Sequence, residues 1–219
     1  MSRPATIDSQ VILAAARETF FTRGVSATTA EIAARAGVSE GTLFKRFGSK
    51  VQLFQAAVGE LIADETWQGP LQGTPRDAAD LEARLVEFVE RAAGRFKNLV
   101  PLMMMAWSSA REGYLPELFA QGTPPQVTEV QQLAGFLERA MRRGLLARRD
   151  ALMSAHLLLG SVQHFALMSL METARTALPL DEADYARRAI TTLLDGLRPE
   201  ATPPPGTSRA PHKAPKEHR

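Results

Sequence analysis

There is no cysteine among the 219 residues, which rules out disulfides and thiolate metal sites. No apolar run approaches the roughly 20 residues needed to span a bilayer. The opening, Met1 to Gln10, lacks the apolar core of a secretory signal. These absences fit a cytoplasmic protein with no membrane partner. No convincing strand run and no repeat of fixed period can be found. The motifs that usually mark an enzyme are missing too: no nucleophile elbow, no phosphate-cradling glycine loop and no metal-binding triad. His156 and His164 lie about two helical turns apart, too far to share one metal, and His212 and His218 fall in a polar tail. We therefore expect no catalytic residues, no metal and no cofactor.

What the chain does contain is ordinary for a folded protein: 45% apolar and 23% charged residues. The net charge of +2 is small, but its distribution is uneven. Residues 1–50 carry +3 and the tail from 199 to 219 carries +2, leaving a body of −3. A basic head on a slightly acidic body suits an anionic partner at the N-terminus, although a few charges among fifty residues also arise by chance.

The periodicity is helical almost throughout. Ile12, Leu13, Ala16 and Phe20 recur at helical spacing before a stop at Gly24. Thr28-Thr29 can cap a short helix over 30–36, and Ser39 can cap another over 40–47 after a Gly37-Val38-Ser39 turn. Gly48 breaks that helix, and Ser49 can cap a longer one reaching about Trp67. Past a Gly/Pro loop, 77–96 reads as an amphipathic helix and 99–111 as a more apolar, buried one. Residues 113–124 read as an irregular connection. Helices are expected over 126–143, 149–174 and 181–197. The proline-rich stretch 199–219 cannot bury a core and is expected to be disordered.

The informative segment is Thr28 to Lys50, TTAEIAARAGVSEGTLFKRFGSK. It describes two short helices joined by a tight turn, with Ala33, Gly37, Val38 and Leu43 at the crossing. The second helix leaves Glu40, Gly41, Thr42, Lys45 and Arg46 on its free side, where a recognition helix meets a major groove. Spacing alone leaves this reading level with an ordinary helical corner bearing a solvated face.

From Ile12 to about Phe54 the chain closely resembles the DNA-binding domain of the tetracycline-repressor family. The residues that carry the likeness are Ile12-Leu-Ala-Ala-Ala, Phe20, Gly24, Thr28-Thr29, Ile32-Ala33, Ala36-Gly37-Val38-Ser39, Gly41-Thr42-Leu43-Phe44, Phe47, Ser49-Lys50 and Leu53-Phe54. Three features depart from the family pattern. Phe44 stands where Tyr is usual, Lys45-Arg46 where aromatic or His residues are frequent, and the interval from Gly24 to Ile32 is one residue short.

The resemblance implies an all-α protein: a three-helix helix-turn-helix head over residues 1–49, a ligand-binding and dimerisation body over 50–198, and the tail. It also implies DNA contacts from Thr28, Thr29, Ser39, Gly41, Thr42, Phe44, Lys45, Arg46 and Lys50. Gly41, Thr42 and Lys45 would approach base edges, Phe44 would pack on sugar or a thymine methyl, and Thr28, Thr29 and Lys50 would meet phosphates.

In the body, the resemblance implies a cavity between Lys50 and Ala174. Its candidate lining is Met103, Met104, Met105, Trp107, Phe119, Gln163, His164, Phe165 and Met168, suited to an apolar or amphipathic effector. The same residues would also serve as plain core. A homodimer on a palindromic operator is expected, through Leu152, Leu159, Ser161, Val162 and Ala166 on one helix and Tyr185, Ala189, Leu193 and Leu194 on another. The resulting expectation is a ligand-released repressor. The alternative is a small-molecule-binding helical protein without specific DNA binding.

Overall fold

The structure, a computed structural model, describes residues 8–114, 124–177 and 179–197. The expected tail and most of the expected connection at 113–124 lie outside them. Among the described residues the chain is helical throughout: α1 Ser9–Arg23, α2 Thr29–Ala36, α3 Glu40–Phe47, α4 Lys50–Ala63, α5 Ala78–Ser108, α6 Pro125–Arg142, α7 Ala151–Ser169, α8 Glu172–Ala177 and α9 Glu182–Leu197.

Most helices begin where a short polar side chain satisfies the first free N–H groups. Asp8, Thr28, Ser39, Ser49, Asp77 and Asp150 accept backbone N–H bonds at the starts of α1, α2, α3, α4, α5 and α7. Asp181 does the same for α9 through the Asp184 N–H at 2.7 Å. The α2–α3 corner depends on Gly37, whose φ of +69° is a left-handed conformation that L side chains rarely adopt. There the Val38 N–H returns to the Ala33 carbonyl at 3.0 Å, which fixes the exit of α2.

Three elements differ from the sequence pattern. α4 stops at Ala63 rather than near Trp67, because Asp64 takes both the N–H and the hydroxyl of Thr66 and opens a 3-10 turn, Thr66–Leu71. That turn is no surface loop: Trp67 stacks on Phe88 with ring centroids 5.2 Å apart, and Leu71 is buried. Arg84 and Arg139 pin its carbonyls and the Gly73 carbonyl. The two segments around 77–111 form one continuous helix, α5, which runs through Pro101. Leu99, Leu102, Met103 and Phe96 are buried on either side of the proline, and that packing outweighs its missing N–H. α7 ends at Ser169, with a break at Leu170-Met171 before α8.

Two cores result. The body core gathers α5, α6, α7 and α9 around Leu85, Phe88, Leu133, Phe136, Leu158 and Ile190. The head core gathers α1, α2, α3 and α4 around Phe20, Ile32, Leu43 and Phe54, and also takes in Leu99, Leu102 and Met103 from the last turns of α5. α4 is therefore held on the head side by Phe20–Phe54 packing at 5.1 Å and by the Arg17–Glu60 ion pair. On the α5 side it is held by Phe54–Tyr114 packing at 5.3 Å. α7 has the length and apolarity of a membrane span, yet Ala155, Leu158, Leu159, Val162 and Ala166 face the body core.

Four carboxylates sit below their ordinary pKa. Hydrogen bonds from Thr28 lower Glu31, those from Thr66 lower Asp64, the Arg76 N–H lowers Asp80 and Lys97 lowers Glu182. A depressed folded-state pKa gives stability that is present above the unfolded value and lost as pH falls through the folded one. Urea midpoints are therefore expected to hold from pH 7 to about 5 and to fall between about 4.5 and 3. A midpoint that rises over that lower interval would contradict the assignment.

Candidate nucleic-acid interface and internal cavity

α3 is anchored from one side only. Leu43 is fully buried in the head core, and Val38 and Phe47 pack partly against it. The opposite face presents Glu40, Gly41, Phe44, Lys45 and Arg46 to solvent. Ser39 Oγ accepts the Thr42 N–H at 3.2 Å and shares a hydroxyl bond with Thr42 Oγ1 at 3.0 Å, so the first turn is rigid. Phe44 is 43% exposed, a large apolar ring left in water beside a cation. Lys45 is exposed and makes no hydrogen bond or ion pair with the described residues.

Two basic residues hold structural contacts as well. Arg46 donates to Ser9 Oγ at 3.3 Å and so ties α3 to the start of α1. Lys50 donates to the Val25 carbonyl at 2.6 Å, which orients its ammonium beside the α2 entrance. Thr28 is likewise engaged: its N–H and hydroxyl both donate to Glu31, at 2.9 and 3.0 Å, in a capping box. The Thr29 hydroxyl donates to Glu40 at 2.9 Å. A phosphate at this corner thus meets two carboxylates, Glu31 and Glu40; the first was legible in the Thr28…Glu31 spacing, which is the capping-box signature. Arg23 lies 3.4 Å from Glu31 and offsets part of that charge.

The body holds a cavity of about 570 Å³ between α4, α5, α6 and α7. Of the expected lining residues, Met103, Met104, Trp107, Gln163 and His164 lie on its wall. Met104 and Trp107 are more than half exposed and mark its mouth. Met105 is buried in the head core instead. Met168 and Phe165 border a smaller neighbouring cavity of about 230 Å³, where Phe165 stacks on Tyr185 at 4.1 Å. Phe119 lies outside the described residues.

The sequence reading missed Arg95 and Glu129, which pair at 3.1 Å on the wall of this cavity with side chains only 7% exposed. Burial pushes Arg95 down and Glu129 up, and each opposite charge pulls the other back toward its ionised form. The signal was present: Arg95 follows Phe88 and Ala92 on the apolar stripe of α5, and Glu129 precedes Leu133 and Phe136 on that of α6. A charge on a buried stripe is rarely retained without a partner. Among the described residues, no group of three or more His, Asp or Glu side chains is placed to hold a metal ion.

Comparison with known proteins adds the following. Residues 12–57 match the family model for bacterial regulatory proteins, tetR family, and residues 98–196 match that for the AefR-like transcriptional repressor C-terminal domain. An uncharacterised helix-turn-helix transcriptional regulator of Mycobacterium tuberculosis is 31% identical over 178 residues, 78% of this chain and 89% of that protein. The helix-turn-helix transcriptional repressor BepR of Brucella suis is 27% identical over 200 residues, 89% of this chain and 94% of that protein. A TetR transcriptional regulator of Streptomyces coelicolor has the same fold, with a TM-score of 0.60 at 23% identity over 89% of this chain and all of that one.

Proposed function

The chain belongs to the tetR family of bacterial transcriptional regulators, and from that premise we propose that it is a repressor: a homodimer that binds a palindromic operator and is released by a small, largely apolar effector. The observation that carries the DNA reading is the face of α3. Gly41, Thr42, Phe44 and Lys45 stand together opposite a single buried anchor, Leu43, at the end of the helix that meets base edges in helix-turn-helix complexes. Lys45 and Lys50 supply the phosphate and base contacts of cationic character, Ser39 and the Thr28-Thr29 corner the polar ones, and Arg46 the link that orients α3 on α1. In this division, residues 1–49 read DNA, residues 50–198 sense and pair, and α4 is the lever between them.

The cavity supports the effector half of the proposal. Its volume and mainly apolar wall suit a small molecule, and Ile62, in the last turn of α4, forms part of that wall. A molecule that prefers one position of α4 alters the spacing of two heads, and it does so only by the difference in its affinity for the two states.

Pairing is assigned to the outer face of α7. Leu152, Met153 and Leu157 are 56%, 53% and 64% exposed there, and Met153 and Leu157 fall on one stripe with Ser161. Leu159, Val162 and Ala166, expected in the interface, are buried within the chain, because they form the opposite, inward face of the same helix. Tyr185, Leu193 and Leu194 pack partly against the body core, and Ala189 is half-buried. A second copy is the occupant that an operator with two half-sites, about 34–36 Å apart, requires. Leu157→Glu is expected to weaken the dimer about 30-fold or more, as loss of a ~2 kcal/mol anchor does. Sedimentation equilibrium measures it, and an unchanged dimer would move the interface elsewhere.

The test of the whole reading is selection of sites from a random duplex pool with the ligand-free protein. Enrichment of a palindrome, bound far more tightly than random duplex and weakened by salt, is expected. A pool that stays unenriched sinks the operator reading and returns the chain to a ligand-binding protein without specific DNA binding.

A further inference from the structure

Resting on that effector reading, we propose that the effector is a neutral molecule with a carbonyl oxygen at one end and an apolar body, and that Arg95 is the residue that receives the oxygen. The argument begins with Arg95's unused donors. Its Nη2 serves Glu129 at 3.1 Å and the Ile62 carbonyl at 3.3 Å, whereas Nε and Nη1 are buried without any hydrogen-bond partner. A guanidinium carries five N–H donors and no acceptor, and leaving buried donors unmade is costly. The side chain is 93% buried by its 7% exposure, yet it belongs to the cavity wall. Those two nitrogens are themselves buried, so a bound oxygen meets one of them only when the guanidinium turns toward the cavity whose wall the side chain helps to form.

The charge balance selects the kind of acceptor. Glu129 already neutralises Arg95, so a carboxylate effector would add a second negative charge to a buried pair, and desolvation penalises that. A carbonyl of an ester, lactone, amide or ketone accepts a hydrogen bond and brings no charge. An ammonium would compete with Arg95 for Glu129 and leave the unused donors as they are. Beyond the pair, Phe96, Leu99, Val100, Met103 and Leu167 on the wall accommodate a hydrocarbon body, and Gln126, Gln163 and His164 are its other polar groups.

The same residue supplies the coupling. The Ile62 carbonyl that Arg95 holds is in the last turn of α4, and Ile62 also touches the cavity. An oxygen that takes an Arg95 N–H re-seats the guanidinium, and its bond to the end of α4 changes with it. Arg95 thus reads the effector's polar end and reports it to the helix below the DNA-reading head.

The experiment uses the full chain and four probes of matched length: 2-nonanone, nonane, nonanoate and nonylamine, with binding read from tryptophan fluorescence and calorimetry. 2-Nonanone is expected to bind at least about tenfold more tightly than the other three, as one well-made hydrogen bond to a charged group allows. Arg95→Met alone leaves Glu129 unpaired, so Arg95→Met/Glu129→Met is made beside it to keep the fold intact. In the double variant, the ketone's advantage over nonane is expected to disappear while nonane binding persists. Nonanoate or nonylamine binding more tightly than the ketone overturns the inference, and so does a ketone advantage that survives in the double variant. Operator release is measured separately. Arg95-dependent ketone binding without release leaves this inference standing and removes the switch, whereas operator binding with no probe bound removes the inference and leaves the regulator.

Discussion

Gly41→Ala is expected to leave the melting temperature unchanged or raise it, while weakening operator binding at least about tenfold. The two effects separate because Gly41 has room on the protein side. A Cβ built there meets only Ser39 Oγ, at 3.8 Å, an ordinary contact. Its backbone is not left-handed, so nothing in the fold requires glycine. Glycine inside a helix costs roughly 0.5–1 kcal/mol relative to alanine, and a first-turn position recovers at most that amount on substitution. If glycine is nonetheless needed, the need comes from outside the chain. At the second position of α3, beside Thr42 and two residues from the Ser39 cap, that outside body is, on the proposed operator reading, the floor of a major groove. A methyl group there displaces the helix from the base edges, and a base-reading contact is worth about 1–3 kcal/mol. Operator affinity that survives Gly41→Ala would place the first turn of α3 away from the DNA. Within the same assay, Lys45→Ala is expected to lower the slope of log affinity against log salt by about one if Lys45 meets a phosphate, and to relax selectivity at one base pair if it meets a base edge.

Much of this could be read before any coordinates. The caps Thr28, Ser39 and Ser49, the left-handed Gly37 and the buried Leu43 all follow from local rules, because each acts within a few residues of its place in the chain. α3 emerged with the expected bounds for the same reason. Local rules gave out where tertiary packing decides. The change from an amphipathic to a more apolar pattern between Phe96 and Leu99 read as two helices, but Phe96, Leu99 and Leu102 pack as one buried face and carry α5 through, Pro101 included. Gly69-Pro70 marked a loop, but Trp67 and Leu71 turn that segment into core. Leu159, Val162 and Ala166 are apolar enough to serve an interface or a core, and only the position of α5 against α7 assigns them inward. The cavity was half legible. Met103, Met104, Trp107, Gln163 and His164 line it as expected, yet the pair that gives it chemical character was overlooked. Arg95 and Glu129 are 34 residues apart in sequence and on different helices, so no spacing rule joins them; the clue was a charge on each buried stripe, visible one helix at a time.

That pair sets the other large expected effect. Glu129→Leu is predicted to destabilise the protein by about 3–5 kcal/mol, because it strands the Arg95 guanidinium in a site with little water. Native stabilities are typically about 5–15 kcal/mol, so this loss would consume a large share. The contacts that remain to Arg95 are the Ile62 carbonyl at 3.3 Å and the rings of Trp67 and Phe96 at 4.9 and 5.7 Å. They hold its charge weakly and cannot replace a carboxylate. Removing both charges is a different matter: Arg95→Met/Glu129→Leu puts apolar groups of similar size into an apolar wall and is expected to match or exceed the parent's stability. Chemical denaturation of the parent, both single variants and the double variant closes the cycle. The exposed Arg142–Glu138 pair, 63% and 57% solvent-accessible, serves as the control and should shift stability by no more than about 0.5 kcal/mol. Glu129→Leu as mild as that control would show that water or local movement already relieves Arg95. A strongly unstable single variant beside a robust double variant would show instead that the pair contributes little to folding.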